Sequence, residues 1–212
     1  SDSLNTSSSL SSSVQKIVSM VDVINRNAKR LEKLASNLLD VSRIENNRSL
    51  ELSKEKFDLR QKIENVINDI RTTIGDKDIQ IRLESKVQKA SVMIEGDTER
   101  ILEVISNLLS NAIKFTQEGE VVVGLDEKDG QAIVSIRDTG SGISREIYPN
   151  LFTKFATKSE KGTGLGLFIA KNIIEAHGGK ILAENNSNGR GATFTFILPT
   201  INYSPKGMTN EK

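Results

Sequence analysis

The chain has 212 residues, with 29 Lys and Arg against 28 Asp and Glu and a formal charge of +1, so its charge favours neither a nucleic-acid nor an anionic-membrane partner. It has no cysteine, which excludes disulfides, thiolate metal sites and cysteine nucleophiles, and no apolar run near the roughly 20 residues that span a bilayer. With 4% aromatics and no Trp, its core must be aliphatic, and its length suits one domain plus an appendage or two small domains.

The first thirteen residues, SDSLNTSSSLSSS, are Ser-rich and short of apolar anchors, and predict a flexible lead over 1–13. From Val14 the pattern changes. Val14, Val21, Ala28 and Ala35 fall seven apart, and Ile17, Ile24, Leu31 and Leu38 interleave three residues later. That strict a/d heptad predicts a long dimerisation helix over 14–47 with an apolar seam. Its 3.5-residue spacing favours a partner helix in a bundle or coiled coil over packing on the chain's own domain.

The stretch ENNRSLELSKEKFDL ends that helix and predicts a linker over 48–57, with a short extended piece at 50–52. Asp58 can cap a helix over about 59–74, where Ile63, Val66, Ile67 and Ile70 recur at helical spacing. IQIRLES and ASVMIE read as strands. Asp97 caps the next helix, whose apolar positions include Ile101, Val104, Ile105, Leu108 and Leu109. Two strands, EVVVGLDEK and QAIVSIRD, follow, joined at Asp129-Gly130, a strong hairpin signal. After a Gly-rich region come a helix over about 164–176 and two strands, KILAENNS and ATFTFILP. Pro199 closes a domain over 58–199, and 200–212 reads as a loose tail. The fold class is therefore α+β: a mostly antiparallel sheet whose three helices cover one face, as a two-layer α/β sandwich.

Four stretches carry chemistry. In EVISNLLSNAIKF, Asn107 and Asn111 lie four apart on one helix face, with Lys114 three further on. Asparagine has poor helix propensity and is costly to bury unpaired. A carboxamide oxygen suits Mg²⁺, and lysine suits phosphate. Hydrogen bonding to a neighbouring loop is the competing explanation. In RDTGSGIS, Asp138 ends a strand and could accept from an amino group, while Gly140 and Gly142 let backbone approach a flat ligand. In KGTGLGLFIAK, Gly162, Gly164 and Gly166 precede a helix and suit an anion, but no strand precedes them, which excludes a dinucleotide-binding fingerprint. Between them, LFTKFATKSEKGT has the polar, mobile composition of a lid, anchored by Phe152 and Phe155.

In this order, NLLSNAIKF, DTGSGI, LFTKF and GTGLGL resemble the N, G1, F and G2 boxes of the ATP-binding domain of sensor histidine kinases, within the superfamily that includes gyrase, MutL and a heat-shock chaperone. The closing HGGKI and GRGATFTFILP are also similar, so the resemblance covers about 57–199. The preceding RNAKRLEKLASNLLDVSRIE looks like the second helix of that family's dimerisation and phosphoacceptor hairpin.

The resemblance implies a Bergerat-type ATPase fold, three helices over a mixed sheet, and ATP with Mg²⁺ as ligands. It implies that Asn111 holds the metal and that Asn107 and Lys114 face the phosphates as the catalytic pair. Asp138 would bind the adenine amino group, with Gly140, Gly142 and Ile143 lining the base and Thr193 joining the water network at Asp138. Gly164, Leu165 and Gly166 would hold lid and phosphate. Further implied nucleotide contacts are Phe115, Phe155, Lys158, Gly162, Thr163 and Leu167. Implied partners are a second copy through the heptads over 14–38, the phosphoacceptor histidine helix of the parent protein and a response-regulator receiver domain, in the cytoplasm.

Two departures from the family pattern stand out. Ala156 and Thr157 occupy positions where many members carry an aromatic and an Arg, leaving Lys154 and Lys158 as stand-ins. No Ser-His-Glu-like motif followed by Arg-Thr-Pro is present, which implies that the acceptor histidine lies outside this chain. The rival readings are an ATP-hydrolysing relative and a non-catalytic nucleotide-sensing dimerisation module. Asn107 argues against hydrolysis, because it stands where hydrolysing relatives carry a Glu base and an amide cannot take up a proton.

The chain's one histidine is His177. It follows the helix over 164–176 and precedes Gly178 and Gly179, a common helix stop. It would cap that helix, roughly 16 Å from the Gly166 end at 1.5 Å per residue.

Overall fold

Where the heptads run, the backbone is one helix, α1 (Asp2–Glu45). A computed structural model describes residues 2–46, 50–75, 77–87, 91–157, 162–187 and 189–201, and the chain divides into two units, Ser1–Arg48 and Ser49–Lys212. The lead expected to be flexible over 1–13 is helical from Asp2 onward. Serine costs only about 0.5 kcal/mol in a helix, and a helix already nucleated gains one hydrogen bond for each residue it adds. Along α1, Ile17, Ile24, Leu31 and Leu38 are each more than half exposed; the side chain of Val14 lies outside the described residues.

The second unit begins with β1 (Lys54–Asp58), a strand inside the stretch expected to be linker. It pairs antiparallel with β3 (Met93–Asp97) as a separate two-stranded sheet. Each of these strands ends on an aspartate that starts a helix. Asp58 accepts from Arg60 N at 3.0 Å and from Val92 N at 3.0 Å, capping α2 (Leu59–Thr73). Asp97 accepts from Arg100 N at 3.1 Å and from Ser53 N at 2.9 Å, capping α3 (Thr98–Phe115). Such caps satisfy backbone donors that have no partner within the helix, worth about 1 kcal/mol each.

The main sheet has five strands, β2 (Ile79–Ser85), β4 (Gly119–Lys128), β5 (Gln131–Asp138), β6 (Lys180–Asn185) and β7 (Ala192–Pro199), in the order β2-β4-β5-β7-β6. β2 and β4 are parallel and the other pairs antiparallel, so the sheet is mixed. The Asp129-Gly130 turn has φ of 51° and 72°, the left-handed pair a tight hairpin requires.

α2, α3 and α4 (Gly166–Ala176) cover one face: α2 meets β2, α3 meets β4 and β5, and α4 meets β6 and β7. Alternation decides which residues they bury. Val121, Val123 and Leu125 on β4, Val134 and Ile136 on β5, and Phe196 on β7 are all at or below 1% exposed. Ile101, Val104, Ile105, Leu108 and Leu109 of α3 meet them at 0%, each burial contributing about 1.5–3 kcal/mol. The opposite face carries Arg82, which pairs with Glu84 and with Glu120. This is the two-layer α+β sandwich. The end of β7 is firmer than a loose tail starting at 200 would be: Thr200 is 6% exposed and bridges Ile94 of β3.

Candidate functional site

Two amides in the middle of α3 stand out by what they lack. Asn107 and Asn111 are half-buried, and among the described residues neither side chain has a hydrogen-bond partner, so no bond to a described loop residue accounts for them. The apolar stripe of α3 faces the sheet and leaves this second face toward α4. A Cβ on Gly166, the first residue of α4, would come within 2.6 Å of both amide atoms of Asn107. The bare glycine lets that helix start approach the amide this closely, and a side chain there would push the amide aside. Lys114, exposed at the end of α3, lies with Nζ 5.3 Å from the Phe115 ring centroid, a cation–π contact.

The end of α3 is joined backbone to backbone to the loop after β5. Ser141 N donates to Phe115 O at 3.3 Å, and a Cβ on Gly140 would collide with that carbonyl. This brings Asn111 and Lys114 to the same end of the layer as Asp138. Asp138 is 3% exposed. Its Oδ1 accepts from Gly140 N at 2.9 Å and Ala192 N at 3.3 Å, while Oδ2 has no partner among the described residues. Burial pushes its carboxyl above the ordinary carboxylate range, and the two N–H donors offset part of that rise. Gly142 (φ +72°) and Ile143 complete this end.

The Gly-rich loop closes the other end. Leu165 N donates to Thr163 Oγ1 at 3.4 Å, Leu165 is 3% exposed, and Leu167 is half-buried in the first turn of α4. No side chain caps α4, so its first N–H groups are open to an anion. Gly162 precedes this turn. Gly164 (φ +67°) lies directly against the Phe155 backbone. Phe155 was expected to anchor the lid with its ring, yet it is 65% exposed. Its φ of +62° turns the ring outward and packs the backbone instead. Lys158 lies outside the described residues.

Thr193 is the implied residue that the structure does not bring to the carboxylate. Side chains alternate along a strand. Ala192 shares the helix-facing side with Asp138, so Thr193 faces the other side, where its Oγ1 donates to Asn186 Oδ1 at 2.7 Å. Two residues not singled out in the sequence also stand at this end, Asn185 and Asn186. A pair of asparagines closing a strand is a compositional anomaly, and that was the available signal.

His177 caps the far end of α4. It is 6% exposed, and both ring nitrogens are occupied: Nδ1 lies 2.7 Å from Ile173 O, and Nε2 accepts from Asp97 N at 2.9 Å.

Residues 96–202 match the family described as histidine kinase-, DNA gyrase B- and HSP90-like ATPases. Over 198 residues the chain is 30% identical to the circadian input-output histidine kinase CikA of a Synechocystis strain; the match covers 89% of this chain but only 26% of CikA. Among solved structures, full-length ShkA in complex with AMPPNP is similar with a TM-score of 0.70 at 26% identity, over 81% of this chain and 36% of that one. The histidine kinase ThkA in complex with the response regulator TrrA gives a TM-score of 0.64 at 28% identity, over 81% of this chain and 48% of that one.

Proposed function

Because the chain belongs to the family of histidine kinase-, DNA gyrase B- and HSP90-like ATPases, and its relatives include histidine kinases, we propose that it is the ATP-binding part of a sensor histidine kinase. It passes the γ-phosphoryl group of ATP to a histidine outside this chain, in the cytoplasm, within a two-component pathway. One observation carries this reading: two half-buried amides, Asn107 and Asn111, without partners among the described residues, on the face of α3 beside the uncapped start of α4.

The residues fit the ligand. Asp138 Oδ2 accepts from the adenine amino group. Gly140 and Gly142, without side chains, would let backbone approach the base, with Ile143 beside them. The N–H groups at the start of α4 and the Gly162–Gly166 turn receive phosphate oxygens, with Lys114 swinging off Phe115 to join them. Among the described residues, no cluster of three or more His, Asp or Glu could hold a metal alone. Asn111 Oδ1, a hard oxygen with no partner among the described residues, would be the chain's contribution to a Mg²⁺ held chiefly by the nucleotide. Bound Mg²⁺ offsets phosphate charge during transfer; the chain's own share is positioning and charge neutralisation.

The amide of Asn107 cannot deprotonate a water, which supports transfer over hydrolysis. His177 is an unsuitable acceptor, because both its nitrogens are engaged and the ring is buried. The partners proposed are a second copy through the exposed heptad face, the phosphoacceptor helix and a receiver domain.

The test is phosphotransfer from labelled ATP to a separate hairpin carrying an acceptor histidine. Label should reach the hairpin as acid-labile phosphate and leave this chain unlabelled. Nucleotide binding without transfer would favour a nucleotide-sensing module, and phosphate release without transfer an ATPase. Asn111→Ala should lose the Mg²⁺-dependent part of nucleotide affinity in calorimetry with and without EDTA.

A further inference from the structure

The last residue of β6 and its successor bond the loop after β5 and the end of β5 itself. Asn185 pairs with Ala192 across β6 and β7, and Ala192 N in turn donates to Asp138 Oδ1. The three residues form one row across neighbouring strands. Alternation puts Asn185 on the helix-facing side, with Asp138, roughly 10 Å away at the usual strand spacing.

From there Asn185 makes two hydrogen bonds to one residue. Its Oδ1 accepts from Ile143 N at 2.7 Å, and its Nδ2 donates to Ile143 O at 3.0 Å. A carboxamide used this way replaces a missing strand: it satisfies both backbone groups of Ile143 and fixes its distance from β6. Gly142, just before, has φ of +72°, and a Cβ there would come within 2.8 Å of Asn185 Oδ1. The glycine therefore keeps the clamp accessible. Asn186 does the equivalent on the other side. Its Nδ2 donates to Asp138 O at 2.8 Å and to Arg190 O at 2.7 Å, and its Oδ1 accepts from Thr193.

We propose that Asn185 and Asn186 are positioning residues for the base pocket, Asn185 holding the Gly142–Ile143 wall and Asn186 holding the Asp138 strand end. The proposal rests on the nucleotide-binding reading above. Neither side chain needs to touch the ligand. Each acts by keeping a short loop in the conformation that the base meets, so that little ordering is left to occur on binding. When a clamp is removed, the loop samples other conformations, and apparent affinity falls with the competent fraction. The Thr193 hydroxyl, facing away from Asp138, then has a defined part: it holds the acceptor side of the Asn186 amide.

The experiment measures ADP, adenosine and inorganic tripolyphosphate binding to the whole chain, wild type against Asn185→Ala and Asn186→Ala. Losing hydrogen bonds of this kind should weaken ADP and adenosine roughly tenfold, by the same factor for both, because only the base end changes. Tripolyphosphate binding should stay at the wild-type value, and the melting temperature should fall by no more than a few degrees. Unchanged ADP affinity in Asn185→Ala overturns the proposal. So does an equal loss of ADP and tripolyphosphate affinity, which marks general loosening of the fold. If wild type binds no adenine nucleotide, the underlying reading fails and takes this proposal with it; if wild type binds and only the variants are indifferent, the proposal alone fails.

Discussion

His177 Nε2 accepts a hydrogen bond from the backbone N–H of Asp97 at 2.9 Å, across 80 positions of sequence. The bond ties the end of α4 to the start of α3, because Asp97 is also the residue that caps α3. It requires an unprotonated Nε2, and Nδ1 donates its proton to Ile173 O. A Cβ on Gly96 would come within 2.8 Å of the ring, so the absence of a side chain there leaves the imidazole its room.

This geometry sets a pH dependence. Burial lowers the His177 pKa below its ordinary 6.5, and nearby Lys54 acts in the same direction, while the Ile173 carbonyl and Asp97 act against it. The unfolded chain therefore takes up the proton first. Stability is full above pH 6.5 and declines as pH falls from there to the lowered folded value. Urea denaturation at pH 7.5 and pH 5.5 should show this loss. In His177→Gln the histidine contribution to the slope should vanish, with stability at pH 7.5 lower by about 1–3 kcal/mol for the broken bonds.

Asp138→Asn should separate stability from binding. The folded carboxyl is held above its ordinary 3.8 chiefly by burial, so its charge costs stability at neutral pH. Asparagine can still accept from Gly140 and Ala192 through Oδ1. The melting temperature should stay level or rise. Adenine-nucleotide affinity should fall by at least tenfold, the scale of a charge-assisted hydrogen bond. A fall in melting temperature of several degrees would contradict the burial argument.

Gly164→Ala tests the hinge of the Gly-rich loop. At φ +67° an alanine is strained, and its Cβ would run into the Phe155 backbone. The left-handed conformation alone costs about 1 kcal/mol. A lower melting temperature together with weaker ATP binding is expected in thermal shift and calorimetry. Gly75 (φ +66°) has nothing within 4 Å of the added Cβ, so Gly75→Ala should carry the strain without the binding loss.

Self-association through α1 is tested by charge. Ile24 and Leu31 are 64% and 67% exposed. Sedimentation of Ile24→Lys/Leu31→Lys should give a lighter species than wild type, because burying like charges in a seam is unfavourable. The same sedimentation coefficient for both proteins would remove the heptad face from the association.

Much of the second unit is legible in its sequence. The Asp58 and Asp97 caps, the Asp129-Gly130 hairpin and the buried stripe of α3 follow from local rules, in which residue type and spacing act over a few positions. β1 escaped notice because KEKFD has a single buried side chain, Phe57, and pairs with a strand 35 or more residues on. The serine lead is helical rather than flexible because weak helix propensity is overridden once a long helix is nucleated. At the site, Asn107, Asn111 and Asp138 were visible as polar residues in the wrong company.

The sequence by itself determined the order of elements, the helix starts and the polar residues that interrupt apolar segments, since these depend on neighbours within a turn or a pleat. Only the tertiary structure decided which of them meet. Strand alternation sent Thr193 away from Asp138, the sheet row brought Asn185 to Ile143, and the packing of α4 against α3 gave His177 its partner in Asp97. Those outcomes depend on register and on contacts between distant segments, which no local spacing encodes.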